Sequence, residues 1–155
     1  DKAPLNFRFI GHILSAFPEA KIIHLKRDPV AICWSIYKSN WSGLGNSFSY
    51  NMDDLVNYYG LYENLMRFWH QKFPDKIYDI NYEKLTTHQE SESKKLINYC
   101  GLDWDQNCLE FYKNTRVVKT ASSLQVRQKM YQGSSEAWKE YESYIKPLVS
   151  GLNSK

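Results

Sequence analysis

Arg27, Asp28, Pro29 and Ser35 are the residues whose types and spacing point most directly to chemistry. Arg27 carries a permanent charge on a planar fork that matches the oxygens of a phosphate. Asp28 can cap a helix with its carboxylate, and Pro29 suits the first helical position, where no amide hydrogen is required. A helix entered from such a corner points its free amides and the positive end of its dipole at whatever lies above it, which is how helix starts bind anions. Positions 28, 31, 32 and 35 share one helical face, so the Ser35 hydroxyl lies on the side that Asp28 opens. A phosphate fits between the guanidinium and the hydroxyl. The same residues also suit a plainer arrangement, in which Arg27 pairs with an acidic side chain and Ser35 fills a helix surface.

The elements that must position this corner are legible on both sides of it. Ile22, Ile23 and Leu25 form the short apolar run of a buried parallel strand, which Pro29 prevents from continuing. Upstream, Pro4 biases Ala3 towards extended backbone, and Asn6 is placed to cap a helix over about 7–17 with Phe9, Ile10, Ile13, Leu14 and Phe17 on one stripe. Pro18 stops it. Downstream, a helix over 29–40 is followed by a patternless loop with Gly43 and Gly45. Asp53 or Asp54 then begins a long helix to about 73, with Leu55, Tyr58, Tyr59, Tyr62, Leu65, Met66 and Trp69 recurring at three and four residues. Residues 76–81 alternate as a second strand. A helix over about 88–100 with Gly101 at its end, a helical turn near 106–112, and a helix begun at Ser134 carrying Trp138, Tyr141 and Ile145 complete the order. Strands joined by helices imply an α/β fold, with a parallel sheet flanked by helices and right-handed crossovers.

Two further stretches suit ligand contact. Tyr82 follows the second strand, where open α/β sheets bind ligands, and its ring or hydroxyl can meet a base or simply pack the strand end. Residues 119–129 have little apolar periodicity but many hydroxyl and basic groups, as a ligand-facing loop would.

Bulk properties narrow the classes of partner. The 155 residues are 43% hydrophobic and 15% aromatic, sufficient for a real core in one ordinary domain. With 20 basic and 17 acidic residues the net charge is only +3, which fits a small anionic ligand and argues against a nucleic-acid binder. No apolar run approaches the roughly 20 residues of a membrane helix, and no signal-peptide pattern opens the chain. Cys33, Cys100 and Cys108 are odd in number and lack metal or CxxC spacing, so buried reduced thiols and a cytoplasmic location are expected. His12, His24, His70 and His88 are scattered without ligand spacing and read as structural or surface residues, with no metal centre. A start at Asp1 rather than Met suggests part of a longer gene product.

Taken together, four segments resemble the C-terminal part of the PAPS-dependent sulfotransferases, nearest to the tyrosylprotein and bacterial TPR-associated groups. They are Asp1-Lys2-Ala3-Pro4 with Asn6; Phe17 to Lys21 leading to Arg27-Asp28-Pro29 and Ser35; Asn81-Tyr82-Glu83-Lys84-Leu85; and Thr120-Ala121-Ser122 through Gln125-Val126-Arg127 to Trp138. The resemblance implies that Arg27 and Ser35 grip the 3′-phosphate of PAPS and that Tyr82 lies beside its adenine. It implies that Lys2 and Ser122 act at the transferring sulfuryl group, and that Arg127 and Lys139 contribute further phosphate contacts. The tyrosylprotein pattern has a basic residue just before the tryptophan, where Ala137 stands here, with Lys139 following Trp138.

The implied fold is the P-loop-like sulfotransferase fold without its N-terminal phosphate-loop unit, since no GxxxxGK[ST] or related loop occurs. The family's general base also lies upstream of the lysine matched by Lys2, so none is assigned. The implied activity is transfer of a sulfuryl group from PAPS, leaving PAP, to a hydroxyl or amine of a peptide, carbohydrate or other acceptor, without a metal. The isolated 155 residues are expected to be inactive, as the C-terminal portion of one sulfotransferase domain. Homodimerisation is compatible with this reading. The alternative is a non-catalytic nucleotide-binding or regulatory protein of the same fold, completed by a partner chain; a nucleotide kinase of related architecture ranks last.

Overall fold

The computed structural model describes residues 3–41, 45–117 and 125–154. Ala3 is extended and Pro4 opens a 3-10 helix, Pro4–Phe9, that runs into α1, Ile10–Ala16. The helix thus begins at Pro4, before the residue expected to cap it, and Asn6 lies inside the first turn with its amide bonded to the Ala3 carbonyl at 3.0 Å. Strand β1, Ile22–Lys26, leads through Arg27 and Asp28 to α2, Pro29–Tyr37. A 3-10 turn, Ser47–Tyr50, precedes α3, Met52–Lys72.

Asn51, rather than Asp53 or Asp54, caps α3. Its side chain accepts from the amides of Asp53 at 2.8 Å and Asp54 at 3.1 Å. The two aspartates occupy the first turn instead, where their charge favours the helix dipole. Strand β2, Ile77–Asn81, is followed at once by α4, Tyr82–Thr87, then by α5, Gln89–Cys100. Gly101, at φ 73°, supplies the left-handed residue that ends α5. The helical turn near 106–112 is a 3-10 segment, Gln106–Lys113. The single helix expected from Ser134 divides into a 3-10 stretch, Ala137–Tyr144, and α6, Lys146–Asn153.

β1 and β2 pair in parallel, with Ile22 opposite Ile77, His24 opposite Asp79 and Lys26 opposite Asn81. Side chains alternate across the sheet, so Ile22 and Ile77 lie on one face. That face packs on Ile10 and Leu14 of α1 and Met66 of α3. On the other face Tyr78 stacks on Tyr99 of α5 with ring centroids 4.9 Å apart, while Ile23 and Leu25 remain 47% and 52% exposed. The result is a small parallel sheet flanked by helices, as the alternation of elements predicts.

α3 connects two buried clusters. Its first half places Leu55 and Val56 against Val30 and Cys33 of α2 and Leu148 of α6, with Ile145 just before α6. Its second half places Met66 and Trp69 against α1 and the sheet. This packing fixes where α2 begins relative to the ends of the strands. Among the described residues no disulfide forms, and no helix is long and apolar enough to cross a membrane.

Candidate functional site at the carboxyl ends of the strands

Because β1 and β2 are parallel, both run into helices at the same edge of the sheet. Asp28 Oδ1 accepts the Ala31 amide at 2.7 Å and starts α2; the Asn81 side chain accepts the Lys84 amide at 2.7 Å and starts α4. Arg27 and Tyr82 are therefore delivered to one place by two capped strand-to-helix bends. The guanidinium of Arg27 lies over the Tyr82 ring, 4.8 Å from its centroid.

Residues 134 and 135 cross this pair. Arg27 Nε donates to Ser135 Oγ at 3.0 Å, and Nη2 donates to the Ser134 carbonyl at 2.7 Å. The Tyr82 hydroxyl is 2.9 Å from Ser134 Oγ. Ser135 Oγ in turn donates to Glu83 Oε1 at 2.6 Å, and the same carboxylate oxygen accepts the Asp28 amide at 3.0 Å. Burial alone would raise the pKa of Glu83. The hydrogen bonds from Ser135 and the Asp28 amide, with the charge of Arg27, outweigh it and hold the carboxyl below the ordinary glutamate range.

Of the residues singled out from sequence, the fold brings Arg27 and Tyr82 together. Ser35 is half-buried two turns into α2, its carbonyl accepting the Ser39 hydroxyl at 2.7 Å. Arg127 ends a short 3-10 helix, Gln125–Arg127, and its guanidinium donates to the Arg116 carbonyl. Lys139 is exposed, with Nζ 3.1 Å from Glu136. Lys2 and Ser122 lie outside the described residues. Sequence reasoning misses Glu83, Ser134 and Ser135 at this centre: Glu83 is visible only as a member of the Asn81–Leu85 stretch, Ser134 reads as a helix start, and no local signal marks Ser135.

A second cluster forms on the sheet face that α3 covers. His24 Nδ1 is 2.7 Å from Asp79 Oδ1, and His70 Nε2, from the last turn of α3, is 3.1 Å from the same oxygen. His24 Nε2 is hydrogen-bonded to the Tyr62 hydroxyl, and Lys26 Nζ is 3.5 Å from Asp79 Oδ2. Burial lowers the pKa of His24 against the opposing pull of Asp79. Burial would raise that of Asp79, but the His24 hydrogen bond and the nearby charges hold it down. Burial also pushes the Tyr62 hydroxyl up to about 12. Two of the four scattered histidines thus converge on one carboxylate, although 46 positions separate them in sequence.

Comparison with known proteins bears on the family of the chain. The chain is 38% identical over 154 residues, 98% of its length, to an uncharacterized protein of Aquifex aeolicus, of which it covers 20%. It is 31% identical over 108 residues, 65% of its length, to the omega-hydroxy-beta-dihydromenaquinone-9 sulfotransferases of Mycobacterium bovis and Mycobacterium tuberculosis, covering 28% of each. The chain thus spans between a fifth and a third of the length of these relatives. Residues 1–106 match the model of the sulfotransferase family, a span that includes Arg27, Ser35, Tyr82 and Glu83 and ends before Arg127 and Lys139. On that match the chain belongs to the sulfotransferase family.

Proposed function

We propose that residues 1–155 are the C-terminal portion of a PAPS-dependent sulfotransferase domain of P-loop-like architecture, and that they bind the 3′-phosphoadenosine end of the donor. The observation that carries this reading is the joining of Arg27 to Tyr82 at the carboxyl ends of two adjacent parallel strands. A cation with a forked set of donors beside an aromatic ring matches a phosphate attached to an adenine nucleoside. The bonds to Ser134 and Ser135 use two of the five N–H donors of the guanidinium. The remainder serve the 3′-phosphate, with the Ser35 hydroxyl as second partner.

PAPS supplies an activated sulfuryl group, which passes in line to an acceptor oxygen or nitrogen as its bond to the nucleotide phosphate breaks. Lys2 and Ser122 donate hydrogen bonds to the phosphate oxygen that gains negative charge. Arg127 and Lys139 add positive charge near the nucleotide phosphates. The remainder of the parent protein supplies the 5′ cradle and the base that takes the acceptor proton. The mycobacterial relatives are named for an omega-hydroxy compound, which supports a hydroxyl acceptor here.

Titration calorimetry with 3′-phosphoadenosine 5′-phosphate (PAP), using 5′-AMP as comparison, tests the reading. Stronger binding of PAP is expected. Equal affinity for the two nucleotides overturns the 3′-phosphate assignment.

A further inference from the structure

The His24, His70 and Asp79 cluster lies outside the donor site and has no part in the reaction outlined above. From this convergence we propose a divalent transition-metal site, with Zn²⁺ as the best-suited ion, that ties the C-terminal end of α3 to both strands of the sheet.

The donor set is the first argument. Two imidazole nitrogens and one carboxylate oxygen suit Zn²⁺ and its first-row neighbours, whereas hard cations such as Mg²⁺ and Ca²⁺ prefer oxygen alone. The three donor atoms, His24 Nδ1, His70 Nε2 and Asp79 Oδ1, all lie within 4.8 Å of one another. Tetrahedral zinc with bonds of about 2.0–2.1 Å holds its ligand atoms about 3.3 Å apart. The separations of 2.7 Å and 3.1 Å to Asp79 Oδ1 need to open by only a few tenths of an ångström. A fourth position is left for water.

The supporting contacts are the second argument. Metal-bound histidines commonly engage their other ring nitrogen, which fixes the tautomer and the ring plane. His24 has this partner in the Tyr62 hydroxyl, which sits on α3 two turns before His70. His24 and Asp79 are register partners in adjacent strands, so the sheet holds two of the three ligands in place independently of any ion.

Access is the third. The His24 side chain is 12% exposed, but His70 and Asp79 are 38% and 37% exposed, so solvent reaches the cluster at those two ligands. Lys26 is the opposing charge. It approaches the other carboxylate oxygen, Oδ2, and is 56% exposed, so its ammonium can move into water when a cation enters.

The experiment treats the purified protein with a chelator, dialyses it, and titrates it with Co²⁺ as a spectroscopic substitute and with Zn²⁺. One equivalent of Co²⁺ with strong visible d–d bands is expected, displaced by Zn²⁺, together with a rise in Tm as Zn²⁺ is added. His70→Ala changes only the most exposed ligand and is expected to weaken Co²⁺ binding about tenfold or more, without loss of the far-UV CD signal. Tyr62→Phe, which keeps the ring but removes the hydroxyl, is expected to weaken it about tenfold. Absence of a stoichiometric Co²⁺ spectrum overturns the proposal. Binding unaltered in folded His70→Ala overturns it equally, since the ion would then sit elsewhere.

Discussion

The Arg27 guanidinium rests 4.8 Å from the centroid of the Tyr82 ring, and the two side chains share Ser134 as a hydrogen-bond partner. Neither residue reaches the other along the chain; the parallel pairing of β1 and β2 places them at one edge. Arg27→Ala is therefore expected to weaken PAP binding by about 2 kcal/mol or more, the loss of a charge-assisted contact, and to leave 5′-AMP affinity much less altered. Tyr82→Phe keeps the face of the ring and should cost less affinity than Tyr82→Ala. Calorimetry on the three variants gives both comparisons, and an Arg27→Ala protein that binds PAP normally removes the guanidinium from the site.

The proposed function has Lys2 and Ser122 meet charge that appears only as the sulfuryl group leaves. In the full-length enzyme, Lys2→Ala and Ser122→Ala are expected to lower kcat by about a hundredfold while changing nucleotide affinity little. Steady-state rates with labelled PAPS, set beside calorimetric Kd values for PAP, make the distinction. Unchanged turnover in either variant takes that residue out of the reaction.

Glu83 predicts an acid limb of stability. Hydrogen bonds from Ser135 and the Asp28 amide favour its charged form in the folded protein, so its folded pKa lies below the unfolded value. Its stabilising contribution is then complete above the ordinary glutamate pKa of about 4.3 and is lost as the pH falls through the folded value. Glu83→Gln should lower Tm at neutral pH, and the two proteins should converge in acid. Thermal melts across the range check this; a constant difference at all pH values would mean that the carboxylate charge plays no part.

Gly11 and Trp69 fix how closely α1 approaches α3. A Cβ at position 11 would lie 2.8 Å from Cη2 and 3.0 Å from Cζ3 of the Trp69 ring. The ring has little freedom to give way, because Trp69 Nε1 donates to the Phe7 carbonyl at 2.8 Å. Overpacking costs about 1–3 kcal/mol, against about 1 kcal/mol gained from the better helical propensity of alanine. Gly11→Ala is expected to destabilise by up to about 2 kcal/mol net, read from denaturant unfolding. A stabilised variant would show that α1 and Trp69 separate freely.

Local features of the sequence sufficed for both strands, for α1, α2, α3 and α5, and for one corner of the site. Pro18, Pro29 and Pro74 cannot be carried through the elements they border, Asp28 caps its own helix, and the apolar stripe from Leu55 to Trp69 repeats at helical period, so these boundaries depend on neighbours a few positions away. Even here a short-range choice went elsewhere: Asn51 captured two amides ahead of the aspartates, and Asn81 turned Tyr82–Thr87 into a helix directly off the strand.

Tertiary structure alone decided which distant groups share a hydrogen bond. Arg27 meets residues 134 and 135 across 107 and 108 positions, and His70 joins His24 on Asp79 only because α3 packs along the sheet with its last turn at that height. Spacing along a chain constrains partners within a turn or a strand. Contacts made across the molecule depend instead on how helices seat on a sheet, which follows from the packing of whole apolar faces.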